Sequence, residues 1–127
     1  MVIDISAVWC GPCNGIAEWL SGEGDSYGFG GYWPDVPDVV AEQVYWVTIL
    51  GESRTGGEAD QEVVEDWYED YPDDHIPVLA DSTHEVSDFF VKLGWPTILM
   101  LNADLTMELA LQQRQGRPRR PRLRQRR

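Results

Sequence analysis

The spacing of apolar and polar residues predicts two strands and a helix in the first part of the chain. Residues 2–9 are mostly β-branched or apolar, which indicates a buried strand. Residues 10–20 predict a helix, since Pro12 suits a first helical turn and Ser21-Gly22 is a suitable end. Residues 44–50 are rich in β-branched and aromatic side chains and predict a second strand. Between them, residues 22–37 combine many glycines with aromatic side chains, which predicts a loop packed on the body.

The second part of the chain predicts helices and a terminal hairpin. Apolar residues recur every three or four positions in residues 59–71 and 83–93, which indicates two amphipathic helices. Residues 97–101 and 105–111 predict a hairpin around the turn-forming residues 102–104. Shorter predictions are a helix at residues 37–43 and an extended segment at residues 76–79. Alternating strands and helices before a hairpin are typical of an α/β fold with a mixed sheet.

Composition and charge limit the classes of ligand. The chain has 127 residues, 43% of them apolar, which predicts one globular domain. Its formal charge of −12 is unevenly divided: all 22 acidic residues lie within residues 4–108, and eight of the ten basic residues lie within residues 114–127. An acidic body argues against nucleic acid and against an anionic membrane surface as its partner, because both need cationic side chains.

The basic end predicts a tail that is separate from the domain. We assign residues 1–111 to one domain and residues 112–127 to an arginine- and proline-rich disordered tail. Contact with nucleic acid, docking to a membrane and folding back onto the acidic body are all compatible with its charge. A tail that is not native sequence, such as a shifted reading frame, is a further alternative.

The start of the chain bears on the compartment. No run approaches the roughly 20 apolar residues that cross a bilayer. Met1 leads directly into the first predicted strand, with no signal peptide before it. We therefore expect a chain that is truncated at its start or whose start is assigned too late.

Two cysteines stand where the first strand gives way to the first helix. Cys10 and Cys13 are separated by two residues, which predicts a dithiol–disulfide couple. At the helix N-terminus, free N–H groups and the helix dipole favour the thiolate of Cys10. The dipole contributes about 0.3–1 kcal/mol, or less than one pKa unit, so further stabilisation needs hydrogen bonds to the sulfur. Cys13 lies one turn further in and is expected to be more buried, so Cys10 attacks and Cys13 resolves.

The motif Trp9-Cys10-Gly11-Pro12-Cys13 resembles the active site of thioredoxin-fold oxidoreductases. Two further features strengthen the resemblance. Asp4 stands six residues before Cys10, where the family has a buried acid, and Gly94-Trp95-Pro96-Thr97 resembles the family's cis-proline segment before the terminal hairpin. The resemblance implies a thioredoxin-like three-layer fold with a central mixed sheet.

The same resemblance implies roles for individual residues. Asp4 would accept the proton of Cys13, while Trp95, Pro96 and Thr97 would align the backbone of a client. Trp9, Gly11 and Pro12 would contact that client beside the disulfide. The partners implied are protein disulfide or dithiol clients and a second redox protein, and no cofactor is expected. The oligomeric state stays open.

The length between the motifs indicates a branch of the family. Residues 22–43 and 58–81 exceed a minimal thioredoxin path between Cys10 and Pro96. An added element before the proline resembles the TlpA-like and redoxin branch, which implies an extracytoplasmic protein, or a cytoplasmic one if Met1 is the true start. Two features depart from the family. Trp95 is larger than the residue usual before the proline, and the expected C-terminal helix is missing, because residues 112–121 have no apolar stripe.

Two other functions are compatible with the same residues. A copper-chaperone-like module would bind metal through Cys10, Cys13 and His84, although a zinc site would need a fourth ligand. The domain could also be an inactive thioredoxin-like interaction module. A peroxidase is disfavoured, because Ala7 occupies the position where peroxiredoxins have threonine.

Overall fold

The computed structural model describes residues 1–90, 94–104 and 106–112. Strands and helices alternate and a hairpin follows, as the sequence predicts. The elements are β1 (Val2–Ala7), α1 (Gly11–Ser21), α2 (Val36–Gln43), β2 (Trp46–Glu52), α3 (Gln61–Asp70), β3 (Val78–Ala80), α4 (Glu85–Phe89), β4 (Thr97–Leu101) and β5 (Met107–Gln112).

Five strands of the described chain form one mixed sheet in the order β3-β2-β1-β4-β5. Strand β1 pairs in parallel with β2, and β2 with β3. Strand β4 runs antiparallel to both β1 and β5. The central mixed sheet and terminal hairpin confirm the predicted thioredoxin-like α/β fold. All six residues of β1 are buried, because this strand has a neighbour on each side.

Alternation along β1 gives the sheet two covered faces, since successive side chains of a strand point to opposite sides. Asp4 lines a small cavity with residues of α1 and α3, which places those helices on one face. Ile3 and Ile5 belong to a different cluster, which Val86 of α4 contacts. Helices therefore lie on both sides of the sheet.

Helix α1 carries the dithiol and has clear signals at each end. Pro12 lies in its first turn, where the missing N–H costs no hydrogen bond. Gly22 ends it with φ of 79° and donates its N–H to Glu18 and Trp19 carbonyls. A left-handed residue of this kind is easiest for glycine, so the predicted helix end is confirmed.

Helix α4 is shorter than the predicted helix at residues 83–93. Asp81 accepts the backbone N–H groups of Val86 and Ser87, at 3.1 and 2.8 Å, and so caps the first turn. The helix ends at Phe89, and Phe90 is already extended. Residues 91–93 lie outside the described residues.

The second face of the sheet is covered at its centre. Ile3, Ile5, Ile49 and Leu99 are all buried there. The open apolar face that a missing C-terminal helix implies is therefore not observed at these four positions. The predicted absence of that helix and the arginine-rich tail fall on residues 113–127, outside the described part of the chain. Among the described helices, none has the length and apolar character to cross a membrane.

Candidate active site

Cys10 and Cys13 are joined by a disulfide at the N-terminus of α1, with their Cα atoms 5.2 Å apart. Cys10 is the N-cap residue, with an extended backbone at φ −80° and ψ 115°. Its Sγ accepts the backbone N–H of Cys13 at 3.3 Å. Both cysteines are buried, at 3% and 0% exposure, so the predicted difference in burial between them is small.

Trp9 forms one wall beside the disulfide and is held by a residue that the sequence analysis missed. Its indole N–H donates at 2.9 Å to Oε1 of Glu52, the last residue of β2. The ring is 47% exposed and meets Trp95 edge-on, with ring centroids 6.3 Å apart. About half of the Trp9 side chain therefore remains available to a molecule that approaches Cys10.

The segment around Pro96 lies against the same cluster as the cysteines. The Trp95–Pro96 peptide bond is cis. Trp95 packs on the buried cluster that contains Cys10 and Cys13. Pro96 and Thr97 are buried, and the Thr97 hydroxyl donates to the Gly94 carbonyl at 2.7 Å. The tertiary structure thus brings together Cys10 and a segment 86 residues further along the chain.

Asp4 is a buried carboxyl group beneath α1, with 2% of its surface exposed. Its Oδ1 accepts the Ser6 hydroxyl at 2.7 Å. Burial raises the pKa of Asp4 from 3.8 to about 6, and the Ser6 hydrogen bond and the Trp46 indole oppose this shift. Of these two donors Ser6 makes the defined hydrogen bond, because Trp46 Nε1 is buried without a partner of normal geometry. At neutral pH the carboxyl group is mostly ionised and able to accept a proton.

A small cavity connects Asp4 with the underside of α1. Its volume is about 20 Å³, and Asp4, Ile16, Ala17 and Trp46 contribute to its lining. A cavity of this size holds about one water molecule. Asp4 therefore shares a cavity of about one water's size with residues of α1.

An aromatic strap, residues 22–35, packs against the exposed face of α1. Tyr27 lies over Gly11 and Gly15, where a β-carbon would collide with its ring or hydroxyl. Phe29 stacks on Tyr27 with centroids 5.6 Å apart. Asp25 supports the strap by accepting the N–H groups of Phe29 and Gly30. The predicted packed loop is thus confirmed, and it reaches the residue that follows Cys10.

Asn14, directly after Cys13, contacts the turn that carries the cysteines. Its Nδ2 donates to the carbonyls of Val8 and Cys10, each at 2.8 Å. Its Oδ1 accepts the Tyr71 hydroxyl at 2.7 Å. This role is not predicted from the sequence, although an asparagine in the first turn of a helix is a poor helix former and so indicates a side-chain hydrogen bond.

The cleft beside Val8 and Asn14 contains one cation and two acids. It has a volume of about 200 Å³, and Arg54, Asp66 and Asp70 contribute to its lining. Lys92, the other cation of the acidic body, falls outside the described residues. Both acids of this cleft, Asp66 and Asp70, belong to α3.

His84 does not join the cysteines. It precedes α4 with φ of 62°, and its carbonyl accepts the Asp88 N–H at 2.8 Å. In the described part of the chain, no group of three or more His, Cys, Asp or Glu side chains is arranged to hold a metal ion. The copper-chaperone-like alternative, with His84 as third ligand, is therefore not supported.

No protein-family model matches the chain, and no curated protein matches it either. The function consequently has to be inferred from the fold and from the contacts around the disulfide.

Proposed function

We propose that the protein is a thiol–disulfide oxidoreductase that exchanges disulfides with protein clients through Cys10 and Cys13. The observation that carries this proposal is the disulfide at the N-terminus of α1, with the Cys13 N–H directed at Cys10 Sγ at 3.3 Å. In the reduced protein the same N–H and the helix dipole stabilise a Cys10 thiolate. Such a thiolate is the nucleophile of disulfide exchange.

The exchange proceeds through a mixed disulfide. The Cys10 thiolate attacks one sulfur of a client disulfide, and the other client sulfur leaves as a thiolate. Cys13 then loses its proton and attacks Cys10 Sγ, which releases the second client thiolate. The client disulfide gains two electrons, and the Cys10–Cys13 pair loses two on becoming a disulfide. A second redox protein with a dithiol returns these electrons.

Asp4 is proposed to accept the Cys13 proton. Its raised pKa of about 6 leaves it mostly ionised at neutral pH. This pKa is closer to that of a thiol than the pKa of an exposed carboxylate is. Asp4 is buried on β1, and Cys13 is buried on the helix α1 whose residues line a cavity together with Asp4. By accepting this proton, Asp4 would leave Cys13 as the thiolate that attacks Cys10 Sγ.

Clients are proposed to dock where Trp9, Gly11 and Pro12 meet Trp95, Pro96 and Thr97. The half-exposed Trp9 and the neighbouring Trp95 offer an aromatic surface beside the disulfide. Trp95 packs against the buried cluster that contains both cysteines, which supports this location. A client strand along this segment would bring its own sulfur toward Cys10.

Two finer proposals rest on the sequence resemblance. The added elements α3 and β3, before Pro96, support a place in the TlpA-like and redoxin branch. That branch implies an extracytoplasmic location, with residues 1–111 as the catalytic domain. Both proposals depend on the thiol–disulfide activity and fall with it.

Trapping of mixed disulfides tests the proposed function. In Cys13→Ser the attack by Cys10 still occurs but resolution is blocked, so a disulfide-containing protein such as insulin should accumulate covalently on the variant. Cys10→Ser is the matched control and should trap none. The wild-type protein should also accelerate insulin reduction by dithiothreitol. If neither trapping nor acceleration is found, the disulfide is structural and the proposal is wrong.

A further inference from the structure

Asn14 donates both of its side-chain hydrogens to the turn that carries the dithiol. Both Nδ2 hydrogens are donated, one to the Val8 carbonyl and one to the Cys10 carbonyl. A primary amide has two such hydrogens, so no donor is left for another partner. The two carbonyls lie on either side of Trp9. Asn14 therefore determines how the chain passes from β1 into α1.

The Cys10 carbonyl is held twice, since it also accepts the backbone N–H of Asn14 at 3.1 Å. Cys10 is the N-cap of α1, and its extended backbone directs Sγ at the Cys13 N–H. Any rotation of the Cys10 peptide plane would move the sulfur relative to that N–H. Donation by Asn14 thus supports the hydrogen bond on which a stable Cys10 thiolate depends.

Tyr71 determines the orientation of the Asn14 amide. Its hydroxyl donates to Oδ1 at 2.7 Å, which leaves Nδ2 facing the two carbonyls. Burial first, and then the negative charges of Asp70 and Glu18, raise the pKa of Tyr71. The phenol therefore stays protonated and remains a donor throughout the pH range in which a thiol titrates.

The residues that support Tyr71 come from the inserted helix. Tyr71 is the C-cap of α3 and donates its backbone N–H to the Trp67 carbonyl at 2.9 Å. Its ring meets Trp67 edge-on, with centroids 5.0 Å apart. Trp67 is buried in the cluster that contains Cys10 and Cys13. The same helix thus packs under the disulfide and orients the amide beside it.

We propose that Asn14 and Tyr71 are positioning residues of the dithiol, through which α3 sets the acidity of the Cys10 thiol. This inference rests on the thiol–disulfide exchange proposed above. Neither residue contacts the reacting sulfurs in the described hydrogen bonds. They act on the carbonyls that flank Trp9. Without them the Cys10 thiolate loses part of its stabilisation, and the disulfide becomes harder to reduce.

Tyr71→Phe is the decisive variant, because it removes one hydroxyl and keeps the ring against Trp67. Tyr68→Phe is the matched control. It removes a hydroxyl from the same helix, where the partner is the exposed Asp74 at 3.2 Å. Asn14→Ala and the double variant Asn14→Ala/Tyr71→Phe complete a cycle. The rate of alkylation of the reduced proteins by iodoacetamide is measured from pH 4 to pH 10.

We expect Tyr71→Phe to move the alkylation midpoint upward by about half a pH unit. Below the midpoint this is about a threefold loss of thiolate, since one pKa unit is a factor of ten. The equilibrium with a glutathione buffer should shift toward the protein disulfide in the same direction. Tyr68→Phe should match the wild type, and Tyr71→Phe should add nothing further to Asn14→Ala.

Several results would overturn the inference. The first is a Tyr71→Phe profile equal to that of Tyr68→Phe, in a wild type that traps clients and has an acidic thiol. That result leaves the proposed function intact. A Tyr71→Phe protein that does not fold would assign the hydroxyl to stability and reject the positioning role. If the wild type neither traps clients nor shows an acidic thiol, this inference falls together with the proposed function.

Discussion

Trp95 lies so close to Gly51 that a β-carbon on that glycine would be 2.5 Å from Cη2 of the indole. Gly51 belongs to β2, and Trp95 precedes the cis bond to Pro96. The Trp95 side chain is large, and the absence of a side chain on Gly51 makes room for it. The pair connects the strand beside β1 to the segment proposed to align clients.

Gly51→Ala should therefore displace Trp95 and destabilise the protein. Overpacking of this kind costs about 1–3 kcal/mol. Urea unfolding measures the loss. Gly57→Ala is the control, because a β-carbon there meets no atom closer than 3.5 Å. Replacing Trp95 with valine in the Gly51→Ala background should remove the clash, and equal stability of Gly51→Ala and wild type would contradict the close packing.

Tyr27→Ala should uncover the helix face next to the disulfide. The ring is 50% exposed, and losing its buried part should cost about 1–2 kcal/mol in the free energy of unfolding. It should also speed reduction of the disulfide by a bulky thiol, since the Tyr27 hydroxyl lies over Gly11. Tyr32→Ala, in the same strap but 80% exposed, is the control and should leave the rate unchanged. Equal reduction rates for both variants would show that Tyr27 does not shield the site.

Asp4 predicts a pH dependence of stability. Its folded pKa of about 6 is raised above the unfolded value, so the folded state binds more protons between roughly pH 4 and pH 6. Its contribution to stability is therefore complete below pH 4 and is lost as pH rises through 6. From 3.8 to 6 the loss amounts to about 3 kcal/mol.

Asp4→Asn should consequently be more stable than wild type above pH 6, by up to about 3 kcal/mol, and equal to it below pH 4. Chemical unfolding at a series of pH values measures the difference. Asp38→Asn, on the exposed side of α2, controls for the loss of one charge. In the catalytic assay Asp4→Asn should slow the resolution step. A stability difference that does not change with pH would rule out a raised Asp4 pKa.

Asp81 is expected to stabilise α4, the helix that precedes Pro96 in the chain. One carboxylate accepts the Val86 and Ser87 N–H groups and the Ser87 hydroxyl at 2.7 Å. Asp81→Ala leaves these donors unsatisfied and should cost about 3 kcal/mol. Asp73→Ala, whose carboxylate accepts only the exposed His75 N–H, is the control. Similar unfolding midpoints for the two variants would show that the Asp81 cap contributes little.

Local patterns predicted much of this fold. Strand β1 and helix α1 follow from apolar runs and from the Pro12 and Gly22 signals, because these act within a few residues. Predictions failed where a distant or side-chain contact intervenes. Helix α4 begins two residues later than predicted and ends at Phe89, and Asp81 accepts the Val86 and Ser87 N–H groups of its first turn.

In the candidate site, too, local features were predictable from the sequence and contacts between distant segments were not. Spacing alone identified Cys10 and Cys13 as a dithiol at a strand–helix junction, because both the pairing and the helix end are local properties. The partners that shape this dithiol are not local. Tyr71 lies 57 residues from Asn14, and Glu52 lies 43 residues from Trp9. No periodicity records which of many tyrosines or glutamates will meet them.

By itself, then, the sequence determined the order of the elements and the dithiol at the strand–helix junction. Only the tertiary structure decided that Cys10 is nearly as buried as Cys13, that the Asp4 carboxyl group titrates near pH 6, and that Trp95 covers Gly51. The physical reason is that burial, desolvation and close packing arise between segments distant in the chain. These quantities exist only once the sheet has brought those segments together.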